Sequence, residues 1–172
     1  MAQRRVDTQT YDGLLRKMPQ KKLALLQGEL FQLFLASDRH ERLSLQEFAM
    51  SILPPIHFDQ FRIYHVGGRP VGFVSWALFT AEEGAAYMAG DYDFSLDKWT
   101  CGNQIWFIDY IAPFGHAIKM AEDLRDNIFP NGIAYAPDLN EETGRKRVRT
   151  YRGKNRGGRA QQSDMEGFLK EL

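Results

Sequence analysis

Apolar positions along the chain alternate between helical and strand spacing. Leu23, Leu26, Leu30 and Leu33/Phe34 recur at steps of three and four, so they share one face of a helix that runs from Lys21 to near Ser37–Asp38. A second helix is expected after Ser44, with Glu47 three residues on completing a capping box. Pro54–Pro55 is expected to stop it. Phe61–Val66 and Val71–Phe79 are strand-like runs around Gly67–Gly68, which predicts a hairpin. Thr80 caps a helix to Met88, with Glu82 and Glu83 in its first turn. Gly90–Asn103 reads mostly as loop.

Gln104–Ile111 is the clearest strand. Alternation puts Ile105, Phe107, Asp109 and Ile111 on one side and Trp106, Ile108 and Tyr110 on the other. Both sides are largely apolar, which places this strand inside a sheet. Pro113 and Gly115 end it. His116–Phe129 returns to helical spacing, Pro130–Asn131–Gly132 is a turn, and Ile133–Ala136 and Val148–Tyr151 are late strands. This order predicts an α/β (α+β) domain with a central sheet flanked by helices. Residues 1–20 are polar and read as an N-terminal arm, 21–152 as the domain and 153–172 as a C-terminal tail.

Composition sharpens the picture. The chain has 172 residues, enough for one domain with a real core. Lys+Arg and Asp+Glu are both 22, so the net charge is zero. That argues against a uniformly basic nucleic-acid-binding chain. The balance is local, however. Residues 144–159 carry eight basic side chains (Arg145, Lys146, Arg147, Arg149, Arg152, Lys154, Arg156, Arg159) and no acid, against a mildly acidic body. Such a run is a solvated face or a dock for an acidic partner. One cysteine, Cys101, excludes an internal disulfide and Cys-rich zinc sites. No apolar run approaches a membrane span, and Arg4–Arg5 precedes polar residues rather than a signal-peptide core. The reading is a reduced, cytoplasmic protein.

Asp109 stands out chemically, because a carboxylate in an apolar mid-strand position needs a donor or cation beside it. The bland alternative is a structural Asp bonded to an amide or an Arg. Among the four histidines, His40 lies in a polar run after the first helix, His57 on a loop, His65 before the hairpin turn, and His116 at a helix start. No HExxH pair or Cys/His cluster exists, so no metal is expected. There is also no GxxxxGK[ST] or GxGxxG phosphate loop and no GxSxG elbow. Composition alone does not choose among the histidines.

Five blocks carry a resemblance: Ser37-Asp38-Arg39-His40, Phe48–Ile56, Pro70–Ala77, Trp99–Gly102 and, most specific, Trp106-Phe107-Ile108-Asp109-Tyr110-Ile111-Ala112-Pro113-Phe114-Gly115. Across roughly 25–135 the chain resembles the RTX-toxin-activating lysine acyltransferases, the hemolysin-activating C proteins. The resemblance implies a GNAT-like acyltransferase fold. It implies transfer of a fatty acyl group from acyl carrier protein to the amine of internal lysines in an RTX-type protoxin, in the cytoplasm, with no bound cofactor. The family's essential histidine falls on His40 and its essential aspartate on Asp109. A family asparagine falls on Ser51, a departure that keeps a hydrogen-bonding group but loses the amide's reach. His40 then acts as base or as acyl acceptor, with Asp109 orienting it. Backbone amides around Ala112, Phe114, Gly115 and His116 are candidate oxyanion donors. Arg145, Lys146, Arg147, Arg149 and Arg152 are candidates to dock the carrier. Family members are often dimeric, so a homodimer is a further expectation. Three readings compete: a coenzyme-A-dependent or small-amine acyltransferase, a non-catalytic binding module of the same fold, and a nucleic-acid binder using the basic strip.

Overall fold

A computed structural model describes residues 18–40, 42–90, 92, 95–139, 146–157 and 161–163. Its elements are α1 (Gln20–Leu35), α2 (Leu45–Phe58), β1 (Phe61–Val66), β2 (Arg69–Phe79), α3 (Ala81–Ala89), β3 (Gln104–Ile111), α4 (Ala117–Asp123), β4 (Ile133–Leu139), β5 (Lys146–Arg152) and β6 (Gln161–Ser163). The α4 helix widens into a π-type turn over Leu124–Ile128, closed by the Phe129 amide on the Leu124 carbonyl at 2.8 Å.

The six strands form one sheet in sequence order. All neighbours are antiparallel except β3 and β4, which are parallel and share two paired positions, Ile105–Ala134 and Trp106–Tyr135. The parallel pair is what forces the α4 crossover. The expected mixed α/β architecture is therefore present.

Helices cover both faces. Phe73 on β2 packs with Leu23, Leu26, Leu30, Leu33 and Phe34 of α1 and with Ile52, Leu53 and Ile56 of α2. Ala77 and Phe79, on the same side of β2, pack with Met88 of α3 and with Trp99 and Trp106. Val74, pointing the other way, meets Met120 and Leu124 beyond α4's end. Each large side chain so buried contributes about 1.5–3 kcal/mol before the entropy of ordering it.

The capping box at Ser44 and Glu47 forms as expected, with the Ser44 amide on Oε2 of Glu47 at 2.8 Å. The Pro54–Pro55 stop does not: α2 continues to Phe58 and carries His57, which the sequence pattern had put on a loop. A helix-interior proline removes an amide donor and costs about 3 kcal/mol. Here Ile52, Leu53, Pro54, Pro55 and Ile56 are all buried, and that packing outweighs the loss. The helix ends instead at Asp59, in the left-handed region with φ 56°. Between β1 and β2, Gly67 and Gly68 take φ of 57° and 78°, the geometry a tight hairpin needs.

Candidate active site

The most consequential irregularity lies between β2 and β3. Val74 pairs with Tyr110, but Trp76 pairs with Phe107. Ser75 therefore faces two residues, Ile108 and Asp109, which is a β-bulge on β3. A one-residue slip turns every later side chain to the other face. Simple alternation put Asp109 beside Ile105 and Phe107. The bulge corrects this: Ile111 joins the α1/α2 core, Phe107 joins the α4 core, and Asp109 faces Ser75.

There Asp109 meets His40. The His40 ring lies against Phe34, centroids 5.0 Å apart at 64°. Its Nε2 is 3.3 Å from Oδ1 of Asp109, and both side chains are about one-tenth exposed. Nδ1 of His40 is 2.8 Å from Oγ of Ser37. An ionised carboxylate only accepts, so the network is satisfied with the proton on Nε2 and with the Ser37 hydroxyl donating to Nδ1. The backbone repeats the tie, with the His40 amide donating to the Ser37 carbonyl at 2.8 Å. Fully buried Ser75 locks the other partner: its Oγ accepts from the Asp109 amide at 3.2 Å and donates to Oδ2 at 3.4 Å. Residues 69 positions apart are thus joined by an α1–α2 connection on one side and a bulged strand on the other.

Tyr87 of α3 stands in the same field. Burial first, and then the Asp109 charge, holds its hydroxyl proton well above the usual phenol range, while the Arg39 cation opposes this. Ser37, Ser75 and Tyr87 were not singled out from sequence as site residues. Ser37 sits three before His40 and Ser75 is a lone hydroxyl in an apolar strand, both readable signals. Tyr87 gives none, since it has the pattern of a core aromatic.

The remaining sequence candidates fall elsewhere. Ser51 is half-buried on α2, and among the described residues its side chain bonds to neither His40 nor Asp109. Ala112 packs toward the α4 core, Phe114 is 55% exposed, and Gly115, at φ 79°, gives its amide to the Ala112 carbonyl at 3.4 Å. His116 occupies the N-cap position of α4 without a side-chain cap bond. Arg149 and Arg152 line a cavity of about 670 Å³ together with Phe107, Tyr110, Leu124, Phe129, Ala134 and Tyr151. That cavity is on the α4 face, opposite His40 and Asp109. Arg149 reaches Oδ2 of Asp138 at 3.2 Å. Lys146 and Arg147 extend along β5, and Arg145 lies outside the described residues. Among the described residues no helix is long and apolar enough to cross a membrane, and no three His, Cys, Asp or Glu side chains gather as for a metal ion.

The arrangement offers a buried imidazole oriented by a carboxylate, with a hydroxyl on its second nitrogen. Such a pair can accept a proton and stabilise the cation that results. Comparison with known proteins places the chain in a family. The RTX-I toxin-activating lysine-acyltransferase ApxIC of Actinobacillus pleuropneumoniae is 32% identical over 126 residues, 73% of each chain. An uncharacterized protein of Synechocystis sp. is 34% identical over 128 residues, 72% of this chain and 86% of its own. The protein-lysine myristoyltransferase RtxC of Kingella kingae is 26% identical over 145 residues, 84% of this chain and 86% of its own. Residues 18–152, which contain both His40 and Asp109, match the model of the HlyC family of RTX toxin acyltransferases. The chain belongs to the RTX toxin acyltransferase family.

Proposed function

We propose that this protein is a protein-lysine fatty acyltransferase that takes its acyl group from acyl carrier protein and modifies internal lysines of an RTX-type protein in the cytoplasm. The observation that carries this reading is the buried His40–Asp109 contact at 3.3 Å in a chain of this family. A free lysine has a pKa of about 10.4, so it arrives protonated and must lose a proton to attack. His40 takes a proton from the amine as its nitrogen bonds to the thioester carbon. The carbon–sulfur bond breaks, the thiolate leaves and is protonated, and an amide remains. Of the two protons lost by the ammonium, one ends on the thiol and one in solvent. Asp109 holds the ring and stabilises the imidazolium.

Nδ1 is the nitrogen with its lone pair outward from Asp109, so the proton arrives there, and the Ser37 hydroxyl either yields its place or passes the proton on. A carrier-borne donor is supported by the absence of a nucleotide-phosphate loop in the sequence.

The test is to incubate the protein with acyl-carrier protein and candidate RTX proteins and to weigh the products intact. The expected result is a mass gain of one acyl chain per modified lysine, lost in His40→Ala and in Asp109→Ala. Absence of transfer from the carrier, with transfer from acyl-coenzyme A instead, would replace the donor assignment.

A further inference from the structure

Helix α1 is apolar on two sides. Leu23, Leu26, Leu30, Leu33 and Phe34 are buried, yet Leu25, Phe31 and Leu35 are 64%, 47% and 57% exposed. Ala24, Gly28, Phe31 and Leu35 follow at steps of four, three and four, so they form one outward stripe, with Leu25 at its edge. Leu45, 78% exposed, starts α2, whose Phe48 ring meets Phe31 at 5.9 Å. A helix with a second apolar face is built to be covered.

Charge selects what covers it. Lys21 and Lys22 are exposed at the start of α1, and Arg39 and Arg42 are exposed just beyond its end. Asp38 and Glu47 are the exposed acids nearby among the described residues, Glu47 being held by the Ser44 amide at 2.8 Å, and Glu29 is engaged by Nε2 of His65 at 3.0 Å. A second copy of the chain fits poorly. A two-fold pairing of α1 with itself, parallel or antiparallel, sets a cationic end against a cationic end. An acidic partner with an apolar helix face fits both features.

We infer that the outward face of α1 docks the acyl carrier protein, an inference that rests on the donor assignment made above. Position favours it. The chain leaving α1 at Leu35 reaches Ser37 and His40 within one turn, on the same sheet face as Asp109. A carrier seated on α1 therefore presents its thioester arm to the reacting imidazole. Arg149 of the basic strip faces the cavity under α4, on the other side of the sheet.

The experiment measures carrier binding and steady-state transfer for the full chain and three variants. Ala24→Glu combined with Leu25→Glu puts two acids on the stripe at exposed positions, away from the buried face. Lys119→Glu, exposed on α4, is the matched charge control, and Arg147→Glu with Lys154→Glu tests the strip. The stripe variant should weaken carrier binding and raise KM for the carrier about tenfold or more, with kcat retained and an unchanged melting curve. The control should bind as wild type does. Unchanged carrier binding by the stripe variant overturns the inference, as does a loss confined to the strip variant. A stripe variant that changes a dimer to a monomer while binding the carrier normally assigns the face to self-association and also overturns it. If the wild-type chain accepts no acyl group from the carrier, the donor assignment fails rather than the docking surface.

Discussion

Asp109→Asn tests the site's logic with the smallest change in shape. The carboxylate is 9% exposed and held by Ser75, so the amide should occupy the same space. What changes is charge and donor sense. The wild-type aspartate accepts from Nε2 at 3.3 Å, leaving Nδ1 to take a proton. An asparagine can turn its NH₂ toward Nε2, which moves the ring proton to Nδ1 and pairs it with the Ser37 oxygen at 2.8 Å. The base then points its lone pair at the amide and not at the substrate. Losing a hydrogen bond to a charged group alone costs about 1.5–3 kcal/mol, which is roughly ten- to a hundred-fold in rate. The wrong tautomer adds to this, and in a serine protease triad the same exchange costs about 10⁴. Acyl transfer by Asp109→Asn should therefore fall at least about tenfold and as far as about 10⁴. The assay is single-turnover transfer to a lysine-containing target, followed by intact mass, beside a thermal melt. Transfer within twofold of wild type, with the fold intact, would refute the assignment of Asp109 as the orienting group.

Ser75→Ala should destabilise by about 1–3 kcal/mol in a urea melt, because it strips the buried Asp109 amide of its acceptor, and it should slow transfer by loosening the carboxylate. Gly102→Ala should prevent stable folding, seen as loss of soluble protein: an added Cβ would overlap the Phe79 carbonyl oxygen and the Thr80 nitrogen, backbone that cannot yield. Alkaline stability should depend on Tyr110, whose hydroxyl donates to the Ala117 carbonyl at 2.6 Å and whose pKa is pushed up to about 12, mainly by burial. The folded state holds that proton more tightly than the unfolded chain, so its contribution is whole below pH ~10 and is lost as pH rises toward 12. Tyr110→Phe should flatten that part of a pH–stability curve, and an unchanged slope above pH ~10 would contradict it.

Local chemistry is legible wherever a pattern acts over a few residues. The Leu23–Phe34 stripe, the Ser44–Glu47 box, the Gly67–Gly68 hairpin and the Gln104–Ile111 strand depend on spacing and φ preference, and all appear as expected. His40 and Asp109 were readable as a pair only through the family blocks, since neither alone distinguishes a working residue from a solvated or structural one.

Three features required the tertiary structure. Pro54–Pro55 continues a helix because burial of five consecutive residues overrides a local penalty. The β6 strand, Gln161–Ser163, lacks an apolar signal and is defined by pairing with Val148, Arg149 and Thr150. Above all, the bulge decides which way Asp109 points. A period of two in sequence assumes unbroken register, and register is a property of two strands, not one. Sequence by itself determined which residues could do the chemistry. The extra residue opposite Ser75 decided that Asp109 faces His40 and not the far side of the sheet.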